Sequence, residues 1–297
     1  MGIKIFRPEI YLGNKTLSTL NFSKKHKNYI KEKIGSTKIH VETKKNILEM
    51  ATEAARKAIY VNKIIPSFLI LVSQGQDNVL PSCAEQLATN LNLDKNILVI
   101  TISSGCSGFV QSIIISNKLL EKKNQYGMIV CAEKYSKYIK NNNFKTRLLF
   151  SDAASATIIK YIKKKNILSL NYGFDGKNAS SLEICKKRNI LNMNGTNIFL
   201  FGINNIPNSI KKISSKFKID KYLIHNGSKI MVDEIIKKSQ IQKSKAFTSY
   251  HVTGNTVSSS IPLLLNINYK KFKKNQNILL SGFGVGLSWA TLLLKWN

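Results

Sequence analysis

Short apolar runs of β character alternate with longer helix-like stretches along almost all of this 297-residue chain. That alternation restricts the fold more than any other property of the sequence. In the first half the β-like runs are residues 68–73, 96–102, 127–132 and 157–162; in the second they are 222–225, 246–250, 277–283 and 287–296. Helices are predicted over 45–60, 81–91, 109–122, 203–216, 229–238 and 256–266. The pattern reads as an α/β protein whose helices cover the faces of its sheets. No repeat, low-complexity tract or Pro/Gly-rich linker marks off flexible domains. The polar stretch 163–166 is the natural place for a change of half, which divides the chain into 1–165 and 166–297.

Composition narrows the function classes. The apolar stretch 64–72 contains Pro66 and Ser67 and is too short to cross a bilayer. The segment 1–8 lacks the apolar core of a secretory signal, so a cytoplasmic protein without a membrane span is expected. The four cysteines, Cys83, Cys106, Cys131 and Cys185, form no C-x-x-C pair, and no disulfide framework is expected. The four histidines have no metal-ligand spacing, so no metal is expected. Lys plus Arg number 46 against 16 Asp plus Glu, a net charge of +30. Only four of those cations are arginine, and the lysines are spread over every surface-like stretch. Nucleic-acid readers concentrate arginine and aromatic residues in one patch. The charge therefore reads as solvated faces with a preference for acidic partners and phosphate-bearing ligands.

The chemistry-bearing residues lie where β-like runs end. Cys106 sits in Ser103-Ser104-Gly105-Cys106-Ser107-Gly108-Phe109, between a β-like run and a helical one. There the unpaired N–H groups and dipole of a helix N-terminus favour a thiolate. His225 follows the run 221–224, Asn255 lies in Gly254-Asn255-Thr256, and Phe283-Gly284-Val285-Gly286 makes a tight turn. Singly each has an ordinary explanation as turn or packing chemistry. Strand ends of an α/β sheet converge on one crevice, however, so the three polar side chains are expected to face each other. Together they supply a nucleophile, a proton manager and an amide donor for an oxyanion.

At these residues the chain resembles the β-ketoacyl-acyl-carrier-protein synthase III family of thiolase-fold condensing enzymes. The resemblance runs nearly end to end. It is carried by the Cys106 segment, Phe150-Ser151-Asp152-Ala153-Ala154-Ser155-Ala156, Met193-Asn194-Gly195 with Phe199, Gly254-Asn255-Thr256, and Gly282-Phe283-Gly284-Val285-Gly286-Leu287-Ser288-Trp289. It implies a five-layered αβαβα fold of two similar halves, usually homodimeric. It also implies an acyltransferase of fatty-acid biosynthesis or a specialised acyl or polyketide pathway. The enzyme would need no cofactor and would use acyl-CoA and acyl-carrier thioesters. Carried over residue by residue, the likeness makes Cys106 the acylated nucleophile and His225 and Asn255 the donors to the malonyl enolate. The backbone N–H groups of Cys106 and Val285 become an oxyanion hole, and Phe283 the aromatic screen beside the thiol.

The chain departs from that pattern at the substrate contacts. The family's His-Gln-Ala-Asn is here His225-Asn226-Gly227-Ser228, so Ser228 replaces an asparagine associated with the pantetheine tunnel. The adenine-sandwiching Trp and Arg appear as Tyr29 and Lys33, and no second stacking arginine stands around Phe144-Lys145-Thr146. Lys229 is the candidate contact to an acidic acyl carrier protein. Glu133, in a matching segment, reads as structural. Two alternatives are a same-fold acyltransferase acting on oxygen or nitrogen nucleophiles without decarboxylation, and a non-catalytic subunit of a heterodimeric complex.

Overall fold

Strand Phe68–Val72 is buried at every position, as a strand covered by helices on both faces must be. Its side chains alternate in destination: Leu69 and Leu71 join one hydrophobic cluster, Phe68, Ile70 and Val72 another. The surroundings of this strand define the layers of the protein. The computed structural model describes residues 1–21, 26–78, 80–140, 142–185 and 189–297.

The first sheet runs in the order Gly2–Ile5, Ala153–Ile162, Tyr126–Glu133, Phe68–Val72, Leu98–Ile102, with Glu9–Leu12 also paired to Ala153–Ile162. The second runs Ile167–Phe174, Ser288–Lys295, Asn277–Gly284, Lys221–Ile224, Ala246–Phe247. Counted in chain order within each sheet's five-strand path, both orders are first, fifth, fourth, second, third. The pairing sense also repeats: the second strand is parallel to the third and fourth, and the fifth is antiparallel to both its neighbours.

Helices Gly105–Leu119 and Ser260–Asn268 lie between the sheets, where Phe109, Ile113 and Leu264 pack with Val72, Leu280 and Leu292. Helices Ile47–Asn62 and Cys83–Asn90 cover the outer face of the first sheet. Gly195–Ser214 and Lys229–Lys238 cover the outer face of the second. The fold is thus a five-layered αβαβα arrangement. The chain passes from one sheet to the other through residues 163–166. There the Asn166 amide accepts from Ile3 N–H at 2.8 Å and donates to the Ile3 and Lys295 carbonyls at 2.7 and 2.9 Å. Among the described residues no helix is long and apolar enough to cross a membrane.

Several elements differ from their sequence expectation. The run 246–250 yields only the two-residue strand Ala246–Phe247, and Tyr250 opens the short helix Tyr250–Thr253. The helix predicted from 256 begins at Ser260, because the preceding residues form a separate tight turn. The helix predicted from 109 begins at Gly105, and the one predicted from 203 begins at Gly195 behind its cap Asn194. Strand Ala153–Ile162 begins four residues before its expected start at 157, through small residues of weak β preference that are packed flat in the interior. Strand Ile167–Phe174 lies outside the β-like runs of the sequence, because it is an edge strand with Leu170, Tyr172 and Phe174 exposed.

Candidate active site

Gly105 starts helix Gly105–Leu119 with φ of +46°. A Cβ there would lie 2.2 Å from Gln74 Oε1 and 2.8 Å from Val285 Cγ1. Only glycine meets both the backbone and the space requirement. The next residue, Cys106, is held in the first turn of the helix and is 6 % exposed. Strand Asn277–Gly284 of the second sheet passes close to it. A Cβ on Gly282 would sit 2.5 Å from the Cys106 carbonyl oxygen, and one on Gly284 would sit 2.9 Å from its Sγ. The strand end is therefore glycine on both sides of Phe283 because backbone must pass beside the thiol.

Burial pushes the Cys106 thiol well above its ordinary range, with the Glu133 carboxyl adding to the shift and the residue's own N–H opposing it. The helix N-terminus is expected to favour the thiolate, and burial acts in the opposite direction, toward the neutral thiol.

His225 comes directly after strand Lys221–Ile224, and its N–H donates to the Ser281 carbonyl at 2.9 Å. Burial lowers its pKa to about 3, so the imidazole is neutral at neutral pH and carries one N–H. Its Nδ1 has no hydrogen-bond partner among the described residues. Asn255 is fixed from both sides. Its N–H donates to the Leu149 carbonyl at 2.9 Å, and its own carbonyl accepts from Ser151 N–H at 2.8 Å. The side-chain Oδ1 accepts from Val257 N–H at 2.9 Å. The acceptor end of the amide is thereby occupied, and its NH2 end is the donor left for the cavity.

Cys106, His225, Asn255 and Phe283 all line one cavity of about 330 Å³, together with Tyr29, Lys33 and Ser228. Lys33 is exposed and the first four are buried, so the cavity leads from the surface to the thiol. Its middle wall is apolar, built by Leu182, Met193, Ile198, Phe199 and Met231. Val285 lies in the turn just beyond strand Asn277–Gly284, outside the ladder, with its carbonyl capped by the Ser288 hydroxyl at 3.0 Å. Lys229 does not line the cavity; its Nζ lies 3.3 Å from Asp233 and 3.6 Å from Glu32.

The residue that sequence reasoning passed over is Lys145. It lines the cavity and places Nζ 5.6 Å from the Tyr29 ring centroid. The stretch Phe144-Lys145-Thr146 holds no arginine, yet a lysine over an aromatic face supplies the same kind of cation–π contact. With Lys33 it gives the cavity two exposed cations.

Residues 100–176 match the family model for 3-oxoacyl-[acyl-carrier-protein] synthase III, and residues 214–296 match the model for the C-terminal part of the same enzymes. The β-ketoacyl-[acyl-carrier-protein] synthase III of Streptococcus thermophilus is 27% identical over 289 residues, covering 90% of each chain. That of Lactococcus lactis subsp. cremoris is 26% identical over 314 residues, covering 97% of this chain and 96% of its own. A crystal structure of a 3-oxoacyl-(acyl-carrier-protein) synthase III superposes with a TM-score of 0.91 at 25% identity, over 100% of both chains.

Proposed function

The chain belongs to the 3-oxoacyl-[acyl-carrier-protein] synthase III family and is a condensing acyltransferase of that type, and we propose that Cys106 carries its acyl intermediate. The observation that carries this reading is the convergence of Cys106, His225 and the donor end of Asn255 on one cavity that opens to the surface. In the first half-reaction the Cys106 sulfur attacks the thioester carbonyl of an acyl-CoA or acyl-carrier donor, and the donor thiol departs with the proton. The N–H groups of Cys106 and Val285 hold the oxyanion. In the second, a malonyl thioester on the carrier protein loses carbon dioxide, and His225 N–H and the Asn255 NH2 donate to the enolate oxygen. The enolate carbon then attacks the acyl-Cys106 carbonyl, a C–C bond forms, the C–S bond breaks, and the departing thiolate takes a proton from solvent to regenerate the thiol.

A neutral His225 suits this role, because it carries an N–H to donate and its lowered pKa makes it a weak base toward the thiol. Lys33 and Lys145 suit a phosphate-bearing, acidic carrier. The apolar middle wall suits a pantetheine arm and a short acyl chain. Among the described residues strand Leu98–Ile102 has no partner along its outer edge, and its residues are only partly covered, which supports a homodimer closed across that edge.

The test is intact-protein mass spectrometry with a panel of acyl-CoA and acyl-carrier donors, followed by measurement of carbon dioxide release from malonyl-carrier protein. Acylation confined to the Cys106 peptide and release dependent on Asn255 support the reading. Acylation elsewhere, or acyl transfer to an oxygen or nitrogen acceptor with no release, overturns it.

A further inference from the structure

Glu133 ends strand Tyr126–Glu133 with its side chain completely buried, and no cation forms a salt bridge with it among the described residues. A carboxyl buried without a cation is held only where hydrogen bonds fix it. Its Oε2 accepts from Gln74 N–H at 3.3 Å, and its Oε1 accepts from the Ser258 hydroxyl at 3.3 Å. Each partner leads to one half of the active site. The Gln74 amide donates through Nε2 to the Ser103 carbonyl at 3.3 Å, accepts through Oε1 from the Tyr135 hydroxyl at 2.8 Å, and fills the space in front of Gly105. It therefore braces the turn from which Cys106 emerges. Ser258 follows Val257, whose N–H holds the Asn255 side chain.

That second turn needs a brace. Val257 has φ of +52°, a left-handed conformation unfavourable for a β-branched residue, which persists only where the surroundings over-determine it. The Ser258 hydroxyl on Glu133 and the Ser259 hydroxyl on the Cys131 carbonyl at 3.3 Å hold it from strand Tyr126–Glu133.

We propose that Glu133 is a positioning residue for both half-reactions, its carboxyl clamping the turn that carries Cys106 to the turn that carries Asn255. This rests on the reading of Cys106 and Asn255 given above. The clamp also has an electrostatic side. Burial raises the Glu133 pKa to about 8, and the groups that face it are Cys106, Cys131 and Tyr135, the neutral Gln74 to Gly75 turn, Ser258, and Lys137. Lys137 is itself paired with Asp77 at 2.8 Å. Below that pH the clamp is a neutral acid that leaves the thiol free to ionise during attack; above it, a negative charge stands beside the sulfur and opposes the thiolate.

The test uses Glu133→Gln, which keeps the shape and removes the charge. Alkylation of Cys106 by iodoacetamide, followed from neutral to alkaline pH, should run about tenfold faster in Glu133→Gln than in the wild-type protein above about pH 8. Ser258→Ala should lower carbon dioxide release more than Cys106 acylation, and Gln74→Ala should do the reverse. Superimposed alkylation profiles overturn the electrostatic side. Losses in both alanine variants that fall equally on the two half-reactions, in proportion to lost thermal stability, overturn the clamp, and these variants decide it even if Glu133→Gln fails to fold. Alkylation needs no substrate, so a wild-type protein that alkylates normally but is not acylated by thioesters would instead overturn the functional reading.

Discussion

The Phe283 ring stands perpendicular to the His225 imidazole, with the two centroids 5.4 Å apart. The ring is fully enclosed, and a Cβ on Gly202 would lie 3.2 Å from its Cε2. Phe283 therefore packs edge-on against the imidazole and lines the same cavity as Cys106. Phe283→Ala should lose about 3–5 kcal/mol of stability, the usual cost of deleting a buried aromatic ring, readable by urea denaturation. The acyl-Cys106 intermediate should also hydrolyse faster, seen as a shorter lifetime by mass spectrometry; an unchanged lifetime would refute the screening role.

Asn255→Asp keeps an acceptor for Val257 N–H but exchanges the donor toward the enolate for a negative charge. Carbon dioxide release from malonyl-carrier protein should fall about 10²–10³-fold, the range for loss of one oxyanion donor. Acylation of Cys106 should be retained. A parallel loss of both half-reactions would mean that Asn255 holds the turn rather than the enolate.

Stability should respond to pH through two buried groups of opposite sense. His225 has its pKa lowered to about 3, so between that value and the ordinary 6.5 the unfolded chain binds the extra proton, and stability falls as pH drops through this window. Glu133 has its pKa raised from 4.5 to about 8, so between those values the native state binds the proton, and stability falls as pH rises. From about pH 6.5 to 8 only Glu133 contributes of the two. In that window the wild-type protein should lose stability relative to Glu133→Gln, as measured by denaturant midpoints; parallel curves would contradict the shift. The same lowered pKa predicts that decarboxylation shows no inflection from His225 between pH 6 and 7.

Gly284 and Gly282 differ in what a methyl group would strike. At Gly284 the obstacle is the Cys106 Sγ, and at Gly282 it is the Cys106 main chain. Gly284→Ala should fold and lose acylation of Cys106, because the thiol is turned away from the cavity. Gly282→Ala should show the larger drop in melting temperature, since backbone cannot yield as a side chain does. Equal melting temperatures and equal acylation in both would show that the strand adjusts instead.

Legibility followed burial and periodicity. Strand Phe68–Val72 is buried on both faces and reads as a continuous apolar run, and Tyr126–Glu133 and Asn277–Gly284 are buried along most of their length and mostly apolar. Helix Lys229–Lys238 was placed with its observed bounds. The hairpin Leu182–Cys185 with Ile190–Met193 and the strand Ile167–Phe174 were not legible, because polar and exposed residues interrupt them and only their partners make them strands. Cys106, His225 and Asn255 were legible as candidates because each stands at or next to the boundary of an element. Glu133 reads as structural from the sequence, and nothing in its neighbours along the chain places it between Gln74 and Ser258.

The alternation of β-like and helical runs by itself determined the α/β class, and the residue types at strand ends determined which chemistry was available. Both are local properties, carried by side-chain period and by backbone limits at glycine and turn positions. The tertiary structure alone decided that burial raises the pKa of the Cys106 thiol and lowers that of the His225 imidazole, and that Lys145 rather than Lys229 borders the cavity. Those outcomes depend on desolvation and on neighbours from distant parts of the chain, which act only once two sheets of the same topology have closed around the central helices.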